Sequence, residues 1–163
     1  MPHKSIGSLI AAFIAAVVLA TLWGAIVQTQ FNLAGLNSIG AGISSGVRWQ
    51  TTLSDIFSGF TPTYGSYVVA PSLLVGFVVA WLIADDRYGR RLMWFGLAGG
   101  LALLAGIPLV NYLAPVALLI GATRDWACTI LMALGGSVAG WLFVWISTPR
   151  PRARERESRT VAA

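Results

Sequence analysis

The stretch 6–27, IGSLIAAFIAAVVLATLWGAIV, decides the fold class of this chain. Its 22 residues include no Lys, Arg, Asp, Glu or His. A helix of about 20 mostly apolar residues is long enough to cross the hydrocarbon core of a bilayer. The apolar core of a cleaved signal peptide is shorter, at about 7–15 residues. We therefore predict that this segment is an uncleaved transmembrane anchor.

Three further uncharged stretches follow, at residues 67–84, 92–111 and 126–146. Backbone polar groups inside lipid must be satisfied within the segment, which favours helices. The stretches are apolar on all sides, unlike the alternating strands of a membrane barrel. The sequence predicts an all-α integral membrane protein whose four transmembrane helices form an antiparallel bundle over residues 1–148.

The composition supports the same class of protein. Of the 163 residues, 56% are hydrophobic and only 10% are charged, whereas a soluble domain carries about a quarter charged residues. This balance excludes an ordinary soluble globule, and it also excludes a disordered chain, which needs low hydrophobicity and high charge.

The segment after the third stretch allows two interpretations. Between Arg91 and Arg124 lie 32 residues without a charge, which is too long for one upright helix and too short for two with a loop. We interpret 114–122 as a short apolar segment that lies at the interface or dips back into the membrane. The alternative is one long, tilted helix kinked at Pro108 and Pro115.

Positive residues predict the orientation of the chain. Lys and Arg are enriched on the cytoplasmic side of membrane proteins. The alternation of four spans places nine of them on one side and only Arg48 and Arg124 on the other; the nine are Lys4, Arg87, Arg90, Arg91, Arg150, Arg152, Arg154, Arg156 and Arg159. We therefore predict a multi-pass protein of the bacterial inner (plasma) membrane with both termini in the cytoplasm. Residues 149–163 are predicted to be a disordered basic tail held at the lipid surface.

Small residues indicate how the helices pack. Lipid is as apolar as leucine, so helices associate where small residues let their backbones approach closely. Such residues recur four apart, on one helix face, in three of the four stretches: Ala12, Ala16, Ala20 and Gly24; Gly96 and Gly100; Gly136 and Gly140. They fit two interpretations, which are packing inside one bundle and an interface with a second copy or a larger membrane subunit.

A short charged turn joins the second and third stretches. Its residues are Asp85, Asp86, Arg87, Tyr88, Gly89, Arg90 and Arg91. The aspartates are expected to pair with the arginines, and Gly89 is expected to supply a positive φ. The run resembles the Asp-Arg-x-Gly-Arg-Arg loop of major facilitator transporters over six residues. It departs from that pattern at Leu82, where the family has glycine, and we interpret it as the same local solution to a tight turn.

The connection between the first two stretches is predicted to contain an amphipathic helix over residues 46–58. Its apolar residues follow helical spacing: Trp49, Leu53, Ile56, Phe57 and Phe60. We expect this helix on the outer leaflet or as a cap on the bundle. The glycine-rich segment before it is predicted to be flexible or re-entrant, and the run 61–65 after it is predicted to be a turn.

The residues that most catalytic and cofactor sites need are scarce. His3 and Cys128 are the single histidine and the single cysteine, so the usual haem, zinc and nucleophile–base sets cannot be assembled. We predict no enzymatic activity, no cofactor and no metal. No nucleic-acid binding is expected either, because the topology explains the basic charge.

Two functional hypotheses follow. The first is a structural or accessory subunit that docks a larger membrane partner; in length and span number the chain is similar to the small membrane subunits of tripartite periplasmic transporters. The alternative is a small homo-oligomeric channel or carrier for a neutral or small solute. Its polar outer vestibule would be lined by Gln28, Gln30, Asn32, Asn37 and Asn111.

Overall fold

A computed structural model describes residues 6–40, 42–57, 60–85, 87–113 and 125–148. Within these ranges the chain is helical and contains no strand. The five helices are α1 (Ile6–Ser38), α2 (Ser45–Phe57), α3 (Phe60–Ile83), α4 (Tyr88–Leu113) and α5 (Trp126–Ser147). The predictions for residue 86, for 114–122 and for 149–163 lie outside the described residues.

Four of the helices, α1, α3, α4 and α5, are long and apolar enough to cross a membrane. This confirms the prediction of an all-helical chain with four helices of spanning length. The charge-free stretches are apolar around the whole helix, so their length alone decides that they span.

The first helix runs well beyond residue 27, where its apolar stretch ends. It includes 33 residues, or about 50 Å, which exceeds the hydrocarbon core of about 30 Å. Gln28, Thr29 and Leu33 are buried against the rest of the protein, and this packing extends the helix through a polar sequence. Positive φ angles at Gly40 and Gly42 then mark the end of the helical path.

The second spanning helix, α3, begins earlier than predicted, and the predicted turn at 61–65 is wrong. Phe60, assigned by the prediction to the amphipathic stripe of α2, is the first residue of α3. Pro62 is tolerated because it lies in the first turn, where its missing N–H is not needed. The Thr61 hydroxyl also donates to the Asp55 carbonyl oxygen at 2.8 Å, which ties the start of α3 to the end of α2.

A π-helical segment, Gly65–Val69, lies inside α3. The N–H of Ala70 bonds to the carbonyl oxygen of Gly65, five residues earlier. Pro71 follows directly and has no N–H for the ordinary bond four residues back. The wider π turn therefore lies where the regular helical ladder is interrupted, and such turns are frequent at functional sites.

Helix α5 is at the centre of the packing. It packs along α1 on one side and along α4 on the other, and α3 packs against α4. Three phenylalanines join these helices in the core: the Phe77 ring lies 5.4 Å from that of Phe95 and 4.8 Å from that of Phe143. The Phe13 ring of α1 meets Phe77 edge-on at 6.2 Å, so one aromatic cluster connects all four spanning helices.

Candidate functional site

The closest contact between helices is made by glycines of α4 and α5. A Cβ atom added to Gly99 would overlap the carbonyl of Gly136, and one added to Gly140 would overlap that of Phe95. One added to Gly96 would meet the indole of Trp141. The predicted small residues of these helices therefore lie inside the bundle, where they let the two backbones touch. The sequence pattern did not identify Gly99, which approaches the opposite backbone as closely as Gly140 does.

The small residues of α1 are buried within the bundle in the same way. Ala12, Ala16 and Ala20 have no exposed surface. A side chain on Gly24 would collide with the Tyr64 ring. The Trp23 indole crosses to α5, where its Nε1 donates to the Leu131 carbonyl oxygen at 2.8 Å. These small-residue stripes are thus covered by neighbouring helices of the same chain.

A long apolar groove lies between α3 and α4. It encloses about 690 Å³ and extends from Tyr67 to Ile83 along α3 and from Trp94 to Val110 along α4. Each side covers about 24 Å of helix, which is most of the hydrocarbon thickness. The groove faces outward from the bundle, so in a membrane it opens to lipid.

Small residues form the floor of this groove, where the two helices touch. A Cβ atom on Gly76 would lie 2.8 Å from the Ala102 Cβ and 2.9 Å from the Ala98 carbonyl oxygen, and Gly106 lies against Ser72. Larger exposed side chains also line the groove: Val75, Val79, Ile83, Leu97, Leu101 and Leu109. The small residues at the floor and the larger side chains along the rims together form a concave apolar surface that is complementary to a convex apolar one.

Polar side chains fasten α2 to the end of α1. The Thr29 hydroxyl donates to Asp55 Oδ2 at 2.7 Å, and Gln30 Nε2 donates to Thr52 Oγ1 at 3.0 Å. The contact face of α2 is therefore polar. On its other faces Trp49, Leu53 and Phe57 are exposed, at 71%, 51% and 79% of their surface, and Ile56 is half-buried.

Two buried polar atoms lack a hydrogen-bond partner in this half of the bundle. They are Gln28 Oε1 and the Tyr64 hydroxyl oxygen; Tyr64 itself is completely buried. Tyr64 lies in the core cluster together with Cys128. No sequence pattern marks Tyr64 as a buried residue, because a Thr-Pro-Thr-Tyr-Gly run is typical of a turn.

The residues predicted to line a polar vestibule lie in different surroundings. Asn32 and Asn37 are exposed, Gln28 is buried, and Gln30 is bonded to α2. None of these residues, nor Asn111, lines the described cavities.

The charged turn has one ion pair among the described residues. Arg90 Nη2 lies 2.8 Å from Asp85 Oδ2, and both side chains are about half exposed. Gly89 is the second residue of α4 and does not have a positive φ, so that expectation is wrong. The turn closes without it because α4 begins directly at Tyr88. Arg87 is exposed, and Arg91 lies over the Phe95 ring at 5.7 Å.

Comparisons with known proteins give no relative: no family model, no curated protein and no solved structure matches this chain.

Proposed function

We propose that the four spanning helices form an antiparallel bundle in a bacterial inner membrane, with both termini in the cytoplasm. The contacts between α4 and α5 support the direction: Gly99 meets Gly136, and the earlier residue Phe95 meets the later residue Gly140. The turn between α3 and α4 carries three arginines, which favour the cytoplasmic face.

We propose that α2 lies at the outer face as an amphipathic helix. Its polar side is bonded to α1 through Thr29 and Gln30, so the exposed side chains of Trp49, Leu53 and Phe57 are free to enter the outer leaflet. Aromatic rings with this exposure favour the interface between lipid and water. In this arrangement α2 caps the end of the bundle.

We infer that the protein is an accessory membrane subunit that holds a transmembrane helix of a larger partner in the groove between α3 and α4. The single observation that carries this function is the groove itself. Its length of about 24 Å matches a helix that crosses the membrane. Its floor, where Gly76 of α3 contacts Ala98 and Ala102 of α4, carries only small residues, which leaves room above it for the side chains of a further helix.

Two physical reasons favour a helix of another protein over a second copy of this chain. A two-fold symmetric dimer centred on the groove would set groove against groove and leave the space between them empty. The small-residue stripes of α1, α4 and α5 are covered inside the bundle and offer no alternative dimer surface. A convex apolar helix fills the groove without either difficulty.

The channel or carrier hypothesis has no comparable support. A solute path needs polar groups that replace the solute's water, and the described cavities are lined almost entirely by apolar side chains. In addition, ion-coupled carriers commonly keep an ionisable residue inside the membrane, and the four stretches predicted to span contain none.

A photo-crosslinking experiment tests the accessory role. A benzophenone amino acid is placed at Val79 or Leu101 in the groove, and at Ile14 on the exposed face of α1 as a control. We expect the groove positions to crosslink, in native membranes, to a single transmembrane segment of one other protein. Adducts with a second copy, or with lipid alone, would contradict the proposal.

A matched pair of substitutions adds specificity to this test. Ala105 lines the groove and Ala11 is exposed on α1, and both are alanines on helix surfaces. Ala105→Leu should fill part of the groove and abolish the crosslink from Leu101, whereas Ala11→Leu should leave it unchanged. Equal crosslinking in the two variants would show that the partner does not lie in the groove.

A further inference from the structure

Three buried polar atoms near one end of the bundle have no hydrogen-bond partner. They are Ser8 Oγ on α1, Arg91 Nε on α4 and Ser147 Oγ on α5. Ser147 is only 8% exposed. Buried polar groups are almost always bonded, because an unmade hydrogen bond costs free energy. Unbonded atoms on α4 and α5, which pack directly against each other, therefore indicate a missing partner that Arg91 and Ser147 share.

Arg91 and Ser147 lie beside the same aromatic pair. The rings of Phe95 and Phe143 stack at 5.1 Å, and the Arg91 guanidinium carbon lies 5.7 Å from the Phe95 ring. Arg91 precedes Phe95 by four residues and Ser147 follows Phe143 by four, which is one helical turn in each case. Residues earlier in α4 contact residues later in α5. Arg91, one turn before Phe95, and Ser147, one turn after Phe143, therefore lie toward the same end of the bundle.

Ser8 lies near that end as well. Trp23 of α1 bonds to Leu131 of α5, and Phe13 joins Phe143 through the ring of Phe77. Residues earlier in α1 therefore lie beside residues later in α5. Ser8 precedes Phe13 by just over one turn and lies at the level of Ser147, but α1 packs against α5 and not against α4, so Ser8 is not assigned to the same site as Arg91.

Arg91 and Ser147 share one chemistry, which is the donation of hydrogen bonds. Arg91 adds a positive charge, and the ion pair found in the described ranges joins Arg90, not Arg91, to Asp85. A guanidinium with a neighbouring hydroxyl forms a donor set suited to an oxyanion such as phosphate. At the end of a membrane-spanning bundle, the abundant phosphate belongs to phospholipid headgroups.

We propose that Arg91 and Ser147 bind the phosphate of an anionic phospholipid between α4 and α5. The phosphate oxygens accept from the Arg91 guanidinium and from the Ser147 hydroxyl, and the acyl chains extend along the bundle into lipid. This site is independent of the groove between α3 and α4, so either can fail without the other.

Lipid binding to the purified full chain tests this site. The protein in a neutral maltoside detergent is titrated with phosphatidylglycerol, with phosphatidylcholine and with inorganic phosphate. Native mass spectrometry measures binding, and thermal unfolding measures protection. We expect saturable binding of phosphatidylglycerol, at least tenfold tighter than that of phosphatidylcholine, and no protection by inorganic phosphate at equal concentration.

Variants locate the binding at the proposed residues. Arg91→Gln should weaken phosphatidylglycerol binding about tenfold or more, because hydrogen bonds to charged groups are the strong ones. Ser147→Ala, a smaller change in packing, should weaken it severalfold. The controls Arg90→Gln and Arg87→Gln remove the same charge from exposed positions and should bind as the unmodified protein does.

Three results would overturn the proposal. The first is unchanged phosphatidylglycerol binding in Ser147→Ala and in a folded Arg91→Gln protein. The second is an equal loss in the Arg90 and Arg87 controls, which would indicate general surface charge. The third is full protection by inorganic phosphate alone, which would assign the site to a free anion instead of a lipid.

Discussion

Replacing Gly99 by alanine adds a single methyl group at one of the two closest backbone contacts between α4 and α5. A Cβ atom there would overlap the Gly136 carbonyl oxygen and lie 2.9 Å from its carbon, whereas ordinary contact begins at 3.4 Å. The obstacle is backbone, which cannot rotate away as a side chain can. The two helices must therefore separate by at least half an ångström.

The expected cost follows from two opposing effects. Forcing an extra carbon into a packed core costs about 1–3 kcal/mol, and separation also loosens the neighbouring contact of Gly140 with Phe95. Alanine in place of glycine returns about 0.5–1 kcal/mol of backbone entropy. We expect Gly99→Ala to lower the free energy of unfolding by about 2 kcal/mol, or roughly thirtyfold in the equilibrium constant.

Reversible unfolding in mixed micelles, followed by tryptophan fluorescence and circular dichroism, measures this change. Gly89→Ala is the matched control, because Gly89 is in the same helix and a Cβ there meets nothing within 4 Å. The control should be as stable as the unmodified protein or slightly more so. A Gly99→Ala protein whose stability equals that of the control would refute the packing between α4 and α5.

Three further predictions concern other contacts. Trp23→Phe removes the bond from the indole to the Leu131 carbonyl and should cost about 1 kcal/mol, measured by the same unfolding assay; no change would mean that the bond contributes nothing. Thr29→Val removes the bond to Asp55 and should speed amide hydrogen exchange in α2, while exchange in α5 stays constant; equal exchange in α2 would show that this bond does not hold it. Cys128 is completely buried, so a maleimide should react with it only after unfolding, and rapid labelling of the folded protein would place the thiol elsewhere.

The spanning helices could be predicted from the sequence, because apolar length alone determines them. Their ends were less predictable. The first helix continues through Thr29 to Ser38 because tertiary contacts bury its polar residues. Helix α3 begins at Phe60 because the Tyr64 ring packs against Gly24 of α1. Both effects depend on a neighbouring helix, which local sequence does not specify.

The glycine contacts show the same limit at higher detail. Positions three and four apart lie on one helix face, so the spacing of Gly96 and Gly100 predicts a small-residue face of α4. Which glycines contact the opposite backbone depends on how α4 and α5 cross, and on α4 the glycine that contacts a backbone carbonyl of α5 most closely is Gly99. The groove between α3 and α4 was not predicted at all, because a groove is a property of two helices together.

Accessibility of single cysteines in spheroplasts tests the central claim, four membrane crossings, most directly. In a Cys128→Ser background, cysteine is placed at Asn37 after the first span, at Arg87 between α3 and α4, and at Thr148 after α5. The account predicts that a membrane-impermeant maleimide labels Asn37→Cys in intact spheroplasts, and labels Arg87→Cys and Thr148→Cys only after permeabilisation. Labelling of Asn37→Cys and Arg87→Cys from the same side would contradict it.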